Sequence, residues 1–424
     1  MLDRTNSPEI QEIREVSFEM PQEKILSNGI RIYYFNDAEQ PIIKLEFVFR
    51  AGAKYHPNYQ LASTVSKLIG EGTSKRTADE ISTLIDGCGA ILNTETGNEF
   101  ASLKLVVLHK HLDKMLHLIA EILEDAIFPL EELDLYLMKK QQELIINNQK
   151  VSFVARNRFP ALLFGENHVY GRPMEWSDFQ DVNRDGIIEF YETYYKSGLF
   201  DLFISGSIPQ NLFDELEIYF GSRIGKKPDS VKTEGFETAS NRIHRVSFPD
   251  MVQNALRIGR LWPSRRHADH AGLQVLVTLF GGYFGSRLMT NIREDKGLTY
   301  GIGAGVKIFK EASMMFIGTE VNADNYKQAI AEIESEIKKL QTDLVSDEEL
   351  NTVKSVIQGS FQRGFDGSFA RLDRFKELIL NDLEMDYYAK HIESIKNLQP
   401  NDLRLLAANY LCFDDMHQLI VGKI

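Results

Sequence analysis

Residues 100–123, FASLKLVVLHKHLDKMLHLIAEIL, resemble residues 311–334, EASMMFIGTEVNADNYKQAIAEIE. Both segments read as a strand, a short polar turn and an amphipathic helix, and they align without a gap from Ala101 and Ala312 onward. Leucine, isoleucine and methionine recur at helical spacing in the first copy, which predicts one apolar helix face. Self-similarity over such a length indicates that the chain contains two copies of one domain.

Further matches flank this repeat. The segment KLEFVFRAGAKYHPNYQLASTVSKLIGEG from Lys44 resembles NALRIGRLWPSRRHADHAGLQVLVTLFGG from Asn254, and each half ends on an apolar strand that closes in glycine. A polar, turn-rich stretch separates the halves. We therefore expect an N-terminal domain over residues 1–222, a linker over residues 223–240 and a C-terminal domain over residues 241–424.

The pattern of apolar residues also predicts the fold class. Strands alternate with helices, the connections between them are short, and many strands are half polar. This pattern favours antiparallel sheets covered by helices. Thr77-Ala-Asp-Glu80 and Ser346-Asp-Glu-Glu349 have the spacing of capping boxes, so we expect helices to begin there. The prediction is an α+β protein of two tandem homologous domains, each a mostly antiparallel sheet with helices packed on one face.

Composition excludes several classes of function. The net charge of −13 argues against binding to nucleic acid, which requires a cationic face. No apolar run approaches the roughly 20 residues of a membrane span, and the opening MLDRTNSPEI lacks the basic and then apolar pattern of a secretory signal. The two cysteines form no disulfide framework. We therefore expect a cytoplasmic protein without a membrane span or a nucleic-acid partner.

Four segments, in chain order, give the sequence a family resemblance. They are RAGAKYHP from Arg50, LIGEGTSKRTADEI from Leu68, GCGAILNTETGNEF from Gly87 and GGYFGSRLMTNIREDKGLTY from Gly281. With them, nearly the whole chain resembles the pitrilysin/insulinase zinc metallopeptidases, and most of all the processing-peptidase branch, in which chains of this length pair into a clamshell. The resemblance implies the LuxS/processing-peptidase-like metallohydrolase fold.

The zinc motif of that family is degenerate here. Active members carry His-x-x-Glu-His on the first long helix, where two histidines bind Zn²⁺ and the glutamate polarises water, and a later glutamate completes the metal shell. The aligned block reads Ser63-Thr-Val-Ser66-Lys67, and Gln142 or Glu143 aligns with the later glutamate. The resemblance therefore implies that this chain binds no zinc or other cofactor and does not hydrolyse peptides alone.

Two hypotheses concern charges near this block. A carboxylate retained without its metal ion would be buried and unpaired, which is costly. Lys67 then either pairs with Glu143 to replace the lost charge, or both side chains face solvent. The sequence also contains His109-x-His111 and His267-x-x-His270, which lack a carboxylate base at a useful spacing and are predicted to be surface histidines.

The second half retains a different part of the family's chemistry. Arg293-Glu-Asp-Lys-Gly-Leu-Thr-Tyr300 has the spacing of the arginine and tyrosine that one chain of the paired peptidases contributes to the other chain's site. The resemblance implies a non-catalytic subunit of a heterodimeric zinc peptidase, in which Arg293 and Tyr300 act in trans on a peptide substrate. Its partner would be a paralogue that bears His-x-x-Glu-His and holds the zinc. The alternative is a catalytically inactive scaffold or peptide-binding protein that acts as a homodimer.

Overall fold

The computed structural model describes residues 19–37, 40–229, 231 and 235–424. The predicted domain boundaries and linker fall partly on the remaining residues, which lie outside this description, and the boundaries stay a prediction. No helix in the described ranges is both long and apolar enough to cross a bilayer.

The first half forms a six-stranded sheet. Its strands lie in the order β1-β2-β6-β3-β5-β4, and every pair is antiparallel except β2 with β6. Alternate residues of β5 are buried, as expected for a strand with one face in a core. The strands are β1 (Gln22–Ile25), β2 (Arg31–Asn36), β3 (Ile42–Phe49), β4 (Ile91–Thr96), β5 (Ala101–Leu108) and β6 (Asp201–Gly206).

Helices separate and follow these strands along the first half of the chain. At Thr77 the capping box forms as predicted, because the hydroxyl accepts from the Glu80 amide and the Glu80 carboxylate accepts from the Thr77 amide. The helices are α1 (Tyr59–Leu68), α2 (Ala78–Gly87), α3 (Leu112–Asp125), α4 (Leu130–Asn147), α5 (Val151–Phe164), α6 (Ser177–Gln180), α7 (Arg184–Tyr191) and α8 (Leu212–Phe220).

The second half repeats this plan with a five-stranded sheet in the order β7-β11-β8-β10-β9, in which only β7 and β11 are parallel. The strands are β7 (Ile243–Ser247), β8 (Gln253–Trp262), β9 (Thr299–Ile308), β10 (Ser313–Asn322) and β11 (His417–Gly422). The helices are α9 (His270–Val277), α10 (Tyr326–Thr342), α11 (Asp347–Arg363), α12 (Gly367–Leu380), α13 (Tyr387–Asn397) and α14 (Pro400–Tyr410).

The quoted repeat is present in this architecture. The first copy folds as β5 and α3, and the second as β10 and α10. At Ser346 only half of the predicted capping box forms. The hydroxyl accepts from the Glu349 amide, but the Glu349 carboxylate accepts two hydrogen bonds of 2.8 Å from Arg287. A bidentate, charge-assisted pair is stronger than the return contact to the cap.

The predicted α+β class with two homologous domains is confirmed, and the two halves also exchange helices. Helix α5 of the first half packs on β8 and β11 of the second sheet, whereas α12 of the second half packs on β2 and β6 of the first sheet. We call the side of the second sheet that contacts α5 its α5 face. Each sheet thus has its own helices on one side and a helix from the other half on the opposite side.

Candidate functional site

The helix that corresponds to the family's metal-binding helix is α1. Asn58 caps it by accepting from the Gln60 amide at 3.0 Å. The hydroxyls of Ser63 and Thr64 both donate to the Gln60 carbonyl at 2.9 Å. Ser66 is buried beside the Tyr195 phenol, whose pKa is raised by burial. The hydroxyls of Ser63 and Thr64 therefore already bond to the backbone of α1, and that of Ser66 lies in the core.

Helix α4 covers α1 at this position with a tyrosine. Burial raises the pKa of the Tyr136 phenol, and the Lys140 charge, Thr64 and Ser63 oppose that rise. Tyr136, Lys140 and Glu143 are spaced four and three residues apart, so they share one face of the helix. The sequence interpretation missed Tyr136 and Lys140, although this spacing from Glu143 was a signal that could have identified them.

The hypothesis that Lys67 pairs with Glu143 is wrong for this structure. The Glu143 carboxylate instead contacts the Lys140 ammonium at 2.8 Å on the same helix, and Lys67 is exposed. A partner one turn away needs little ordering to pair, whereas an exposed pair between helices gains little free energy. Lys140 is therefore the cation that stands next to Glu143.

The residues at this position do not fit a zinc ion. Zn²⁺ prefers thiolate, imidazole and carboxylate ligands, and Ser63, Ser66 and Lys67 offer two hydroxyls and an ammonium group. Within the described parts of the chain, no group of three or more histidine, cysteine, aspartate or glutamate side chains is arranged to hold a metal ion.

Arg293 lies in the last turn of a π-helical segment, Met289–Asp295. Its guanidinium stacks on the Phe284 ring at 4.7 Å from the centroid, which is within the range of a cation–π contact. Among residues with described coordinates, no ion pair or side-chain hydrogen bond engages this guanidinium. Its donors are therefore available to a ligand.

Tyr300 lies at the start of β9, the edge strand of the second sheet, and is 93% exposed. Gly297, at φ of +61°, makes the turn that leads from the Arg293 segment into this strand. Behind the turn, a Cβ on Gly281 would meet the Ala304 amide nitrogen at 2.5 Å, so glycine allows the preceding segment to pack directly on β9. The segment that carries Arg293 also packs on β9, the strand that carries Tyr300.

The structure places these predicted residues in two separate regions. Ser63, Ser66 and Lys67 lie on α1, which packs against α7 and β4 of the first half. Tyr300 instead lines a cavity of about 380 Å³ together with Ser152 of α5 and Arg257 of β8. Arg257 was also missed by sequence interpretation, and its signal was that it is one of two arginines within the mostly apolar strand NALRIGRLW.

The histidines predicted to lie at the surface differ in environment. His267 is exposed, whereas His270 is half-buried, with its ring 5.5 Å from that of His391. His391 hydrogen-bonds to the Gln274 side chain at 2.6 Å. Burial lowers the pKa of both His270 and His391 to about 4, and the charge of Arg265 adds to this effect. His270 therefore lies only partly at the surface.

This pair makes stability depend on pH. The pKa values of both histidines in the folded chain, about 4, lie below the ordinary histidine value. Between these two pKa values the unfolded chain therefore binds more protons than the folded chain. As a result, the free energy of unfolding falls when the pH is lowered from the ordinary histidine pKa toward 4. We expect urea unfolding at pH 7 and pH 5 to show this fall, and His391→Gln to make it smaller. The control is His267→Gln, at an exposed position. If His391→Gln left the difference in free energy of unfolding between pH 7 and pH 5 unchanged, this pair would not be the cause of the pH dependence.

Comparison with known proteins gives a consistent family match. A family model described as Insulinase (Peptidase family M16) matches residues 31–172, and one described as Peptidase M16 inactive domain matches residues 181–357. An uncharacterized zinc protease of Rickettsia bellii is 24% identical over 343 residues, covering 80% of this chain and 82% of the relative.

Two solved structures have the same fold. The peptidase M16 inactive domain from Pseudomonas fluorescens matches with a TM-score of 0.85 at 18% identity, over 95% of this chain and 98% of that one. The periplasmic protease PqqL from Escherichia coli matches with a TM-score of 0.74 at 15% identity, over 96% of this chain but only 48% of that one.

Proposed function

We infer that this chain, which belongs to the peptidase M16 (insulinase) family, is the non-catalytic subunit of a heterodimeric zinc peptidase. In this proposal it supplies Arg293 and Tyr300 in trans to a partner chain that bears His-x-x-Glu-His and holds the zinc. The substrate is a peptide that lies between the two chains.

One observation carries the proposal. Tyr300 is exposed, and the half-exposed guanidinium of Arg293 stacks on the exposed Phe284 ring, in a chain whose aligned metal positions are Ser63, Ser66 and Lys67. A tyrosine that served only to fill a core would be buried, and Tyr300 is not. An arginine that served only a structural role would usually be paired.

The chemistry of the two side chains suits this role. When water attacks a peptide carbonyl, negative charge accumulates on the oxygen, and donors aimed at that oxygen lower the barrier. Arg293 offers a permanently charged, forked donor and Tyr300 a neutral hydroxyl. No step of this kind is assigned to the Ser63–Lys67 region, because its residues do not suit a metal ion.

The length of a related structure supports pairing. This chain spans about half of the Escherichia coli protease that it matches, so that protease has the length for a second unit of this size. In the proposed complex, the second unit is a separate polypeptide. The cytoplasmic location expected from the sequence stays a prediction, since that matching protease is described as periplasmic.

The identity of the companion chain tests the proposal directly. We expect the tagged chain, purified from its native host, to bring down a chain with His-x-x-Glu-His in a one-to-one ratio, measured by mass spectrometry and native mass. Recovery of this chain only with itself, or with subunits that lack the motif, would favour the peptide-binding or scaffold homodimer instead.

A further inference from the structure

Arg257 faces the cavity beside Tyr300. On β8 the residues alternate, so Leu256 and Ile258 enter the core while Ala255 and Arg257 point to the α5 face. Arg257, Tyr300 and Glu320 line the same cavity of about 380 Å³. This volume lies in the usual range for ligand pockets and is large enough for the end of a peptide.

The neighbouring residues hold the Arg257 guanidinium in one orientation. It stacks on the Phe316 ring at 5.2 Å from the centroid. It also lies across Gly318, which is paired with Arg257 on the adjacent strand β10, and a Cβ at position 318 would collide with it. Glycine at this position therefore makes room for the flat guanidinium, which is fixed before any ligand arrives.

This guanidinium has no partner of opposite charge in contact with it. Within residues 19–37, 40–229, 231 and 235–424, no side-chain hydrogen bond or ion pair engages it. Burial and the charge of Arg156 on α5 lower the pKa of Arg257, and Glu320 opposes this without forming an ion pair. An arginine stays protonated even so. The guanidinium is partly exposed to the cavity, so its unpaired donors are available to an anionic ligand there.

We propose that the cavity lined by Arg257, Ser152 and Tyr300 binds a carboxylate of the peptide held between the subunits. The planar fork of a guanidinium matches a carboxylate with two parallel hydrogen bonds. Because Glu320 lines the same cavity, the local charge suits a singly charged carboxylate better than a multiply charged phosphate. This inference rests on the proposed peptide-binding function and adds a specificity-determining residue to it.

The carboxylate comes either from an acidic side chain or from the free C-terminus of the peptide, and three labelled peptides of one length distinguish these sources. The first has a glutamate and an amidated end, the second a glutamine and a free end, and the third a glutamine and an amidated end. Fluorescence anisotropy with the purified full chain gives each dissociation constant. We expect one of the first two peptides to bind about tenfold more tightly than the third.

Substitutions locate the effect. Arg257→Gln should abolish this preference, so that the variant binds all three peptides with similar affinity. Lys327→Gln removes an equal charge from an exposed helix position outside the cavity and should keep the preference. Glu320→Gln, at an exposed position, should strengthen binding of the favoured carboxylate peptide and tests the site even if Arg257→Gln does not fold.

The outcomes separate the two levels of the proposal. Equal binding of all three peptides, or a preference that survives in Arg257→Gln, overturns the carboxylate site and leaves the proposed peptide-binding function standing. Absence of saturable binding for every peptide overturns the carboxylate site alone, because this experiment contains one chain and the proposed function places the peptide between two.

Discussion

Replacing Arg293 with alanine in the assembled complex lowers peptide turnover by about 10²–10³, the usual loss when one oxyanion donor is removed. Tyr300→Phe, which removes only the hydroxyl, is expected to lower turnover in the same direction. Both effects should appear mainly in kcat, because the donors act on charge that develops during the reaction. Peptide cleavage by the complex, measured over a range of substrate concentrations, checks this.

Assembly should survive both substitutions. Tyr300 is almost fully exposed and Arg293 contacts the Phe284 ring, so neither change opens a buried cavity within the chain. Lys296→Gln is the matched control, because it removes a charge from the same segment, where Lys296 pairs with Glu332 at 3.2 Å. Full turnover in both variants would rule out the proposed role. Loss of the heterodimer in either would assign that residue to the interface instead.

The sequence predicted those features that depend on local pattern. The repeat, the cap at Thr77 and the degenerate block at Ser63 could be recognised because each depends on residues close together in the chain. Arg293 and Tyr300 were selected by their spacing and the resemblance, and their role stays a prediction.

Features that depend on contacts between distant segments were not predictable. The placement of Tyr136 of α4 beside the hydroxyls of Ser63 and Thr64 depends on which faces of α1 and α4 meet. The orientation of Arg257 depends on Gly318, which only the β8–β10 register places beside it. Periodicity defines the face of one element but not the element that will cover it.

The exchange of helices between the halves was also not evident from the sequence, and it leads to the largest expected effect on stability. Leu372 on α12 is 1% exposed and packs in a cluster with Tyr33, Phe35 and Phe203 of the first sheet. We expect Leu372→Ala to lower the free energy of unfolding by about 2–5 kcal/mol, because truncation of a buried leucine removes apolar contacts and leaves a cavity. Urea unfolding at constant pH measures this change.

The region that Leu372→Ala destabilises shows whether α12 supports the first sheet or only the core of its own half. If α12 stabilises the first sheet, Leu372→Ala should speed hydrogen exchange in β2 and β6, although the substitution lies in the second half of the chain. Leu405→Ala, at a position 49% exposed on α14, is the control and should change stability by about 0.5 kcal/mol or less. If hydrogen exchange became faster only within the second half, α12 would not support the first sheet. The two halves would then be stabilised independently.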